Sequence, residues 1–240
     1  MMNNTSPSIH HHPSLWEGLG GLLTLFTFIL FACETDSYET GQGEYSLTQA
    51  DICELAVNGQ KQGVSFVTDE GDAYTLKPHY TAKWIETADT TYRTIIYYNK
   101  VDASQAEPVS IGEIPTLIPR EHWKFKELRQ DPIGVESAWL AKSGKYLNLG
   151  LLIKTGRIDD KELPHSVGLA QDTLLTYPDG RSIAYYRLLH SQNGLPEYYT
   201  NRRYVSILLP TQRPDTIRLQ IETYDGPLER IFIPSHNYNY

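Results

Sequence analysis

From residue 45 onward the chain is cut into short runs rich in Val, Ile, Tyr, Thr and Leu by Gly, Asn, Asp and Pro, with no stretch of helical period. A chain with that rhythm presents apolar side chains on alternate residues, so it buries them by closing sheets on one another. The alternation predicts strands near 45–57, 61–68, 73–77, 92–99 and 106–111, and again near 133–140, 145–154, 165–175, 181–190, 198–209, 216–224 and 228–234. Asn58-Gly59 and Glu70-Gly71-Asp72 supply residues that tolerate positive φ in tight hairpins, and Pro178-Asp179-Gly180 and Asp225-Gly226-Pro227 are strong turns. The expected class is all-β.

Between the two groups lies Ile114-Pro115-Thr116-Leu117-Ile118-Pro119, and two prolines this close forbid a regular central strand. The boundary is therefore expected here. Residues 45–118 read as a small OB-like barrel of five strands, 119–132 as a linker, and 133–240 as a β-sandwich of seven strands. Lys124 and Lys126 in the linker are diluted by Glu121, Glu127 and Asp131, which reads as a solvated connection rather than a patch for an anionic surface.

Ahead of the strands, residues 22–32 form an uncharged, mostly apolar run of eleven that stops at Cys33. That is too short for a membrane-spanning helix, which takes about 20 residues, but it suits the apolar core of a secretory signal. Leu30-Phe31-Ala32-Cys33 resembles a bacterial lipobox. The resemblance implies cleavage between Ala32 and Cys33 and attachment of fatty acyl chains such as palmitate at Cys33, with 1–32 as signal peptide. The polar stretch 33–44 reads as a tether spanning on the order of 18 Å. Residues 1–32 contain no Lys or Arg, with which a signal normally begins, so the polar piece before Trp16 is expected not to belong to the native protein. Glu34 and Asp36 resemble the short acidic signal that sends some Bacteroidetes lipoproteins to the outer face of the cell. The expected location is the cell envelope, lipid-anchored at the outer membrane and surface-exposed.

Cleavage would leave 208 of the 240 residues, carrying all 21 Lys and Arg and 28 of the 29 Asp and Glu, a net charge of −7. Neutralising phosphates with cations supplies most nucleic-acid affinity, so nucleic acid is not an expected partner. With Cys33 acylated, Cys53 is the one remaining thiol; alternation puts it on a face with Leu55 and Val57, as a small buried hydrophobe. The histidines His79, His122, His165, His190 and His236 are scattered singly, and Asp159, Asp160 and Glu162 sit in an expected loop, so no metal site is expected. No Gly-x-Ser-x-Gly elbow or Gly-rich phosphate loop is present, while a Ser-His-Asp triad would meet only in space. No enzyme, catalytic residue or cofactor is expected. Half of the runs are also shorter than the roughly 9–11 residues of a transmembrane barrel strand.

The aromatic pairs Tyr97-Tyr98, Tyr185-Tyr186 and Tyr198-Tyr199 fall inside strands, where alternation sends one ring of each to either face. Tyr is favoured in strands for packing alone, yet exposed rings stack on sugars or anchor protein partners. Tyr98, Tyr186 and Tyr199 are the candidate ligand-binding residues.

Asp69-Glu70-Gly71, Arg93-Thr94-Ile95-Ile96-Tyr97-Tyr98, Tyr146-Leu147-Asn148-Leu149 and Tyr204-Val205-Ser206-Ile207-Leu208-Leu209, in this order after a lipobox, resemble the NigD-like lipoproteins of Bacteroidetes. The resemblance implies an OB-like domain followed by a β-sandwich, an envelope location and a bacteriocin-immunity role, and it carries no catalytic residues. The expected function is a non-catalytic envelope lipoprotein that meets another protein; the alternative is a glycan-binding accessory of a nutrient-uptake system. Replacing Cys33→Ala should abolish lipid labelling and leave an uncleaved or soluble precursor. Envelope-bound protein of processed size without lipid label would contradict the lipobox.

Overall fold

The computed structural model describes residues 47–157 and 165–234. The signal peptide, the tether, Ala32, Cys33, Asp159, Asp160, Glu162 and His236 lie outside the described residues. Five strands open the described chain: β1 (Gln49–Val57), β2 (Gly63–Thr68), β3 (Ala73–Tyr80), β4 (Thr90–Lys100) and β5 (Gln105–Glu113). They close into a barrel in the order β1-β2-β3-β5-β4, with β1 antiparallel to both β2 and β4 and β3 parallel to β5. Alternation along β1 turns Cys53, Leu55 and Val57 inward, as expected from the sequence. The barrel is filled around three rings, Phe66, Tyr74 and Tyr98, with centroids 5.0 to 5.5 Å apart.

The turns follow the residues that permit them. Gly71, Gly180 and Gly226 take φ of 99°, 85° and 104°, a region that side chains disfavour. The Asn58-Gly59 turn differs from expectation, because the positive φ of 59° falls on Lys61. Asn58 acts through its side chain instead, its Oδ1 accepting the N–H groups of Gln60 and Gln62 at 3.0 Å each.

After the barrel come two two-residue strands, β6 (Thr116–Leu117) and β7 (Arg120–Glu121), and a single 3₁₀ turn at His122–Lys124. Then follow β8 (Gly134–Leu140), β9 (Tyr146–Thr155), β10 (Ser166–Thr176), β11 (Ser182–Ser191), β12 (Tyr199–Leu208), β13 (Thr216–Thr223) and β14 (Gly226–Phe232). One sheet runs β14-β13-β11-β10-β7 and the other β6-β12-β9-β8. The two share one core that includes Leu147, Leu149 and Leu151 of β9, Leu188 of β11, Ile207 of β12 and Leu219 of β13. The protein is all-β, a closed five-stranded barrel with two further sheets.

The proline-bracketed stretch supplies an edge strand to each sheet. Thr116–Leu117 runs parallel to Ser206 and Ile207, and Arg120–Glu121 parallel to Ala170 and Gln171. Prolines confine strands to edges, and Pro115 and Pro119 hold β6 to two residues. The stretch read as a linker also bonds onward, Asp131 N–H to the His190 carbonyl at 3.0 Å and Ile133 N–H to that of Glu222 at 3.0 Å.

Cys53 is fully buried, and burial pushes its thiol from 9.0 up to about 12. In the Cys33→Ala protein it should stay unreactive to Ellman's reagent at pH 8 until denaturant unfolds the barrel. Modification at the rate of a free thiol in the native protein would place Cys53 at the surface.

Candidate functional site

Where barrel meets sandwich, a cluster of polar side chains is buried. Arg93 of β4 donates from Nη2 to Asp69 Oδ2 at 2.6 Å and to Asn148 Oδ1 at 3.0 Å, and from Nε to Ser206 Oγ at 3.0 Å. Asn148 Nδ2 donates to Asp69 Oδ2 at 2.7 Å, and Ser206 Oγ to Asn148 Oδ1 at 2.8 Å. Asp69 comes from the turn between β2 and β3, Asn148 from β9 and Ser206 from β12. The network therefore joins two barrel residues to two sandwich residues. The guanidinium also lies 3.9 Å over the Tyr146 ring, whose hydroxyl donates to Glu54 of β1 at 2.7 Å.

Lys145 donates to the same Glu54 oxygen. Burial raises the Glu54 pKa, but the hydrogen bonds from Lys145 and Tyr146 outweigh that and hold the carboxyl below its ordinary value of 4.5. A lowered folded value stabilises above the unfolded one, so this contact persists at neutral pH and weakens only as pH falls below the ordinary carboxylate range. Arg93, Asp69, Asn148 and Ser206 bond to one another, and Arg93 Nη1 is buried without a hydrogen-bond partner among the described residues. Their arrangement holds the two halves together, and it places no activated nucleophile or paired acid and base at a surface.

Beside this cluster lies a groove of about 740 Å³ between barrel and sandwich. Its barrel wall includes Ile95, Tyr97 and the run Gly112 to Pro115; its sandwich wall includes Ile153, His165, Val167 and the consecutive residues 201–205 of β12. Tyr97 is 42% exposed. Arg202 is paired with Glu136, whereas Arg203 makes no ion pair among the described residues.

Two of the three candidate tyrosines are not where a ligand could reach them. Tyr98 is 1% exposed and packs in the barrel, and Tyr186 is 2% exposed in the sandwich core, where burial pushes its hydroxyl up to about 12. Tyr199 is 42% exposed, so the three rings cannot form one binding face. In Ile95-Ile96-Tyr97-Tyr98 and Ile183-Ala184-Tyr185-Tyr186 both alternating faces are apolar, so period two does not choose the inner one. Register does: Ile96 and Tyr98 share the inner face of β4, and Ala184 and Tyr186 that of β11. The partner Tyr97 is the exposed member of its pair.

Two histidines that stand 25 residues apart come together. His165 Nδ1 lies 2.9 Å from His190 Nε2 with the rings stacked at 3°, because β10 and β11 pair with Val167 opposite His190. Nothing in their local sequence announces the pair. Among the described residues no three His, Cys, Asp or Glu side chains converge to hold a metal.

No protein-family model and no curated protein sequence matches the chain. Solved structures do. A NigD-like immunity protein from Bacteroides caccae superposes with a TM-score of 0.60 at 22% identity, over 78% of this chain and 97% of that one. A protein of unknown function, DUF1344, from Bacteroides vulgatus gives 0.57 at 14%, over 79% and 93%. A candidate lipoprotein from Bacteroides fragilis gives 0.55 at 13%, over 79% and 99%. The resemblance read from the strands is thus met at the level of fold. Its four sequence stretches contain Asp69, Arg93, Tyr146, Asn148 and Ser206, the residues of the buried cluster.

Arg93→Ala should destabilise the protein by about 3–5 kcal/mol, since it strands Asp69 in a half-closed site. In urea unfolding, Arg93→Ala and Asn148→Ala combined should fall well short of the sum of the single changes. Additive effects would mean that the two do not form one network.

Proposed function

We propose that this chain is a non-catalytic cell-envelope lipoprotein, anchored through Cys33 at the outer membrane, that works by binding another protein. By analogy with the NigD-like immunity protein that shares its fold, the partner is a bacteriocin-type polypeptide or the target it acts on. The observation that carries the binding role is the groove between barrel and sandwich. It is a cleft between barrel and sandwich, which buried Arg93 ties together, with an exposed aromatic, Tyr97, on one wall and on the other Arg203, a cation that makes no ion pair among the described residues. Aromatic and Arg side chains in a desolvated cleft are the usual anchors of protein partners.

The glycan alternative needs at least two of Tyr98, Tyr186 and Tyr199 exposed on one face, and Tyr98 and Tyr186 are buried. That leaves the protein reading better supported.

A photo-crosslinking phenylalanine analogue at position 97 of the full chain, in intact cells, should give a discrete protein adduct. The same analogue at position 174, where Leu174 is exposed outside the groove, should not. Tyr97→Ala should weaken the interaction at least about tenfold, as loss of an aromatic anchor does. Equal adducts at both positions, or a glycan-array hit with no adduct, would overturn the reading.

A further inference from the structure

We infer that the outer edge of β12, residues 200–205, receives an extended segment of the partner polypeptide as an added strand. This rests on the reading of the groove as a protein-binding site and states how the partner is held.

The direction of the backbone groups fixes the edge. β12 pairs with β9 without a register break from Tyr199 to Leu208. Ser206 N–H points away from β9, to the Pro115 carbonyl at 3.0 Å. In an unbroken antiparallel ladder, alternate residues share a direction. The N–H and C=O groups of Thr200, Arg202 and Tyr204 therefore point the same way, while those of Asn201, Arg203 and Val205 face β9.

On that outer side β6 covers Ser206 and Ile207 only. The chain leaves the sheet at Pro115 because Ile114 N–H is drawn to the Arg93 carbonyl at 2.8 Å in the barrel. Among the described residues no strand pairs with the rest of the edge. The groove occupies this side. Five consecutive residues, 201–205, line it, which a space confined to one face of an alternating strand would not touch, and Ile153 and Thr155 of β9 show that it also reaches over the inner face. Its volume of about 740 Å³ falls in the range of ligand clefts, roughly 300–1,000 Å³.

A segment of five residues in β geometry is about 17 Å long, and only another backbone satisfies donors and acceptors that alternate along such an edge. Side chains set what it carries. On the face turned toward the sandwich interior, Val167 and Val205 call for an apolar residue and Arg203 for a carboxylate two positions away. On the other face lies Tyr204, its ring edge-on to Trp139, and Tyr97 of the barrel wall lines the same groove. A second copy of the chain fits poorly, since pairing β12 with itself would bring the Arg202 and Arg203 cations of both copies together.

Residue-resolved hydrogen exchange on the full chain tests the edge. In the free protein the amides of Arg202 and Tyr204 should exchange at least about tenfold faster than those of Asn201 and Arg203, which bond to β9. A hexapeptide with valine and glutamate two positions apart and tyrosine between them should slow the Arg202 and Tyr204 amides about tenfold, and the same peptide methylated on alternate backbone nitrogens should not. Arg203→Glu should weaken the peptide at least tenfold. Arg202→Pro removes an outward N–H, which a strand edge tolerates, together with the exposed ion pair to Glu136, and should abolish peptide protection of Tyr204, whereas Arg202→Ala, which loses the ion pair alone, should not. The inference is overturned if Arg202 and Tyr204 are already as protected as their neighbours, or if millimolar peptide leaves both unchanged. A partner crosslinked at position 97 that leaves these amides exchanging freely would overturn strand addition while keeping the protein-binding reading. Peptide protection without any adduct at 97 would do the reverse.

Discussion

A buried guanidinium stands at the centre of the joint between the two halves of this protein. Arg93 projects from the barrel wall into hydrogen bonds with Asp69, Asn148 and Ser206 and lies flat on Tyr146. Taking such a charge out of water is unfavourable unless partners replace the solvent. Asp69 supplies the opposite charge, and Asn148 and Ser206 supply the neutral acceptors. The position of Arg93 matters as much as its charge. Its carbonyl also accepts Ile114 N–H, so the residue that locks barrel to sandwich also pulls the chain out of the sheet at Pro115.

That departure creates the groove. Were β6 to continue backward beyond Thr116, it would cover β12; instead the chain turns to the barrel and leaves the edge facing a cleft. Natural sheets rarely leave such an edge without protection. Here the barrel wall shields it on one side, and the adjacent cations of β12 discourage pairing between identical chains. The same features that protect the edge from aggregation make it selective for a strand of complementary chemistry.

Much of the fold was legible in the residues. The alternation of Cys53, Leu55 and Val57 marked the inner face of β1, and Gly71, Gly180 and Gly226 marked turns that only a residue without a side chain adopts readily. The tyrosine pairs were legible as strands but not as faces, because Ile95-Ile96 and Ile183-Ala184 are apolar on both sides of the pleat. The Asn58-Gly59 turn was legible as a turn, yet the strained position moved to Lys61 once the Asn58 side chain began accepting backbone N–H groups.

The sequence by itself determined that the chain is all-β, roughly where its longer strands lie, and that four stretches resemble a lipoprotein family. These follow from period two and turn chemistry, which act over a few residues. Tertiary structure decided that Asp69, Arg93, Asn148 and Ser206 converge, that His165 stacks on His190, and that among the described residues β12 keeps an open edge. Each of these depends on register between strands distant in the chain, from the 24 residues between Asp69 and Arg93 to the 113 between Arg93 and Ser206. No local pattern encodes such a register, because it is set by how whole faces pack.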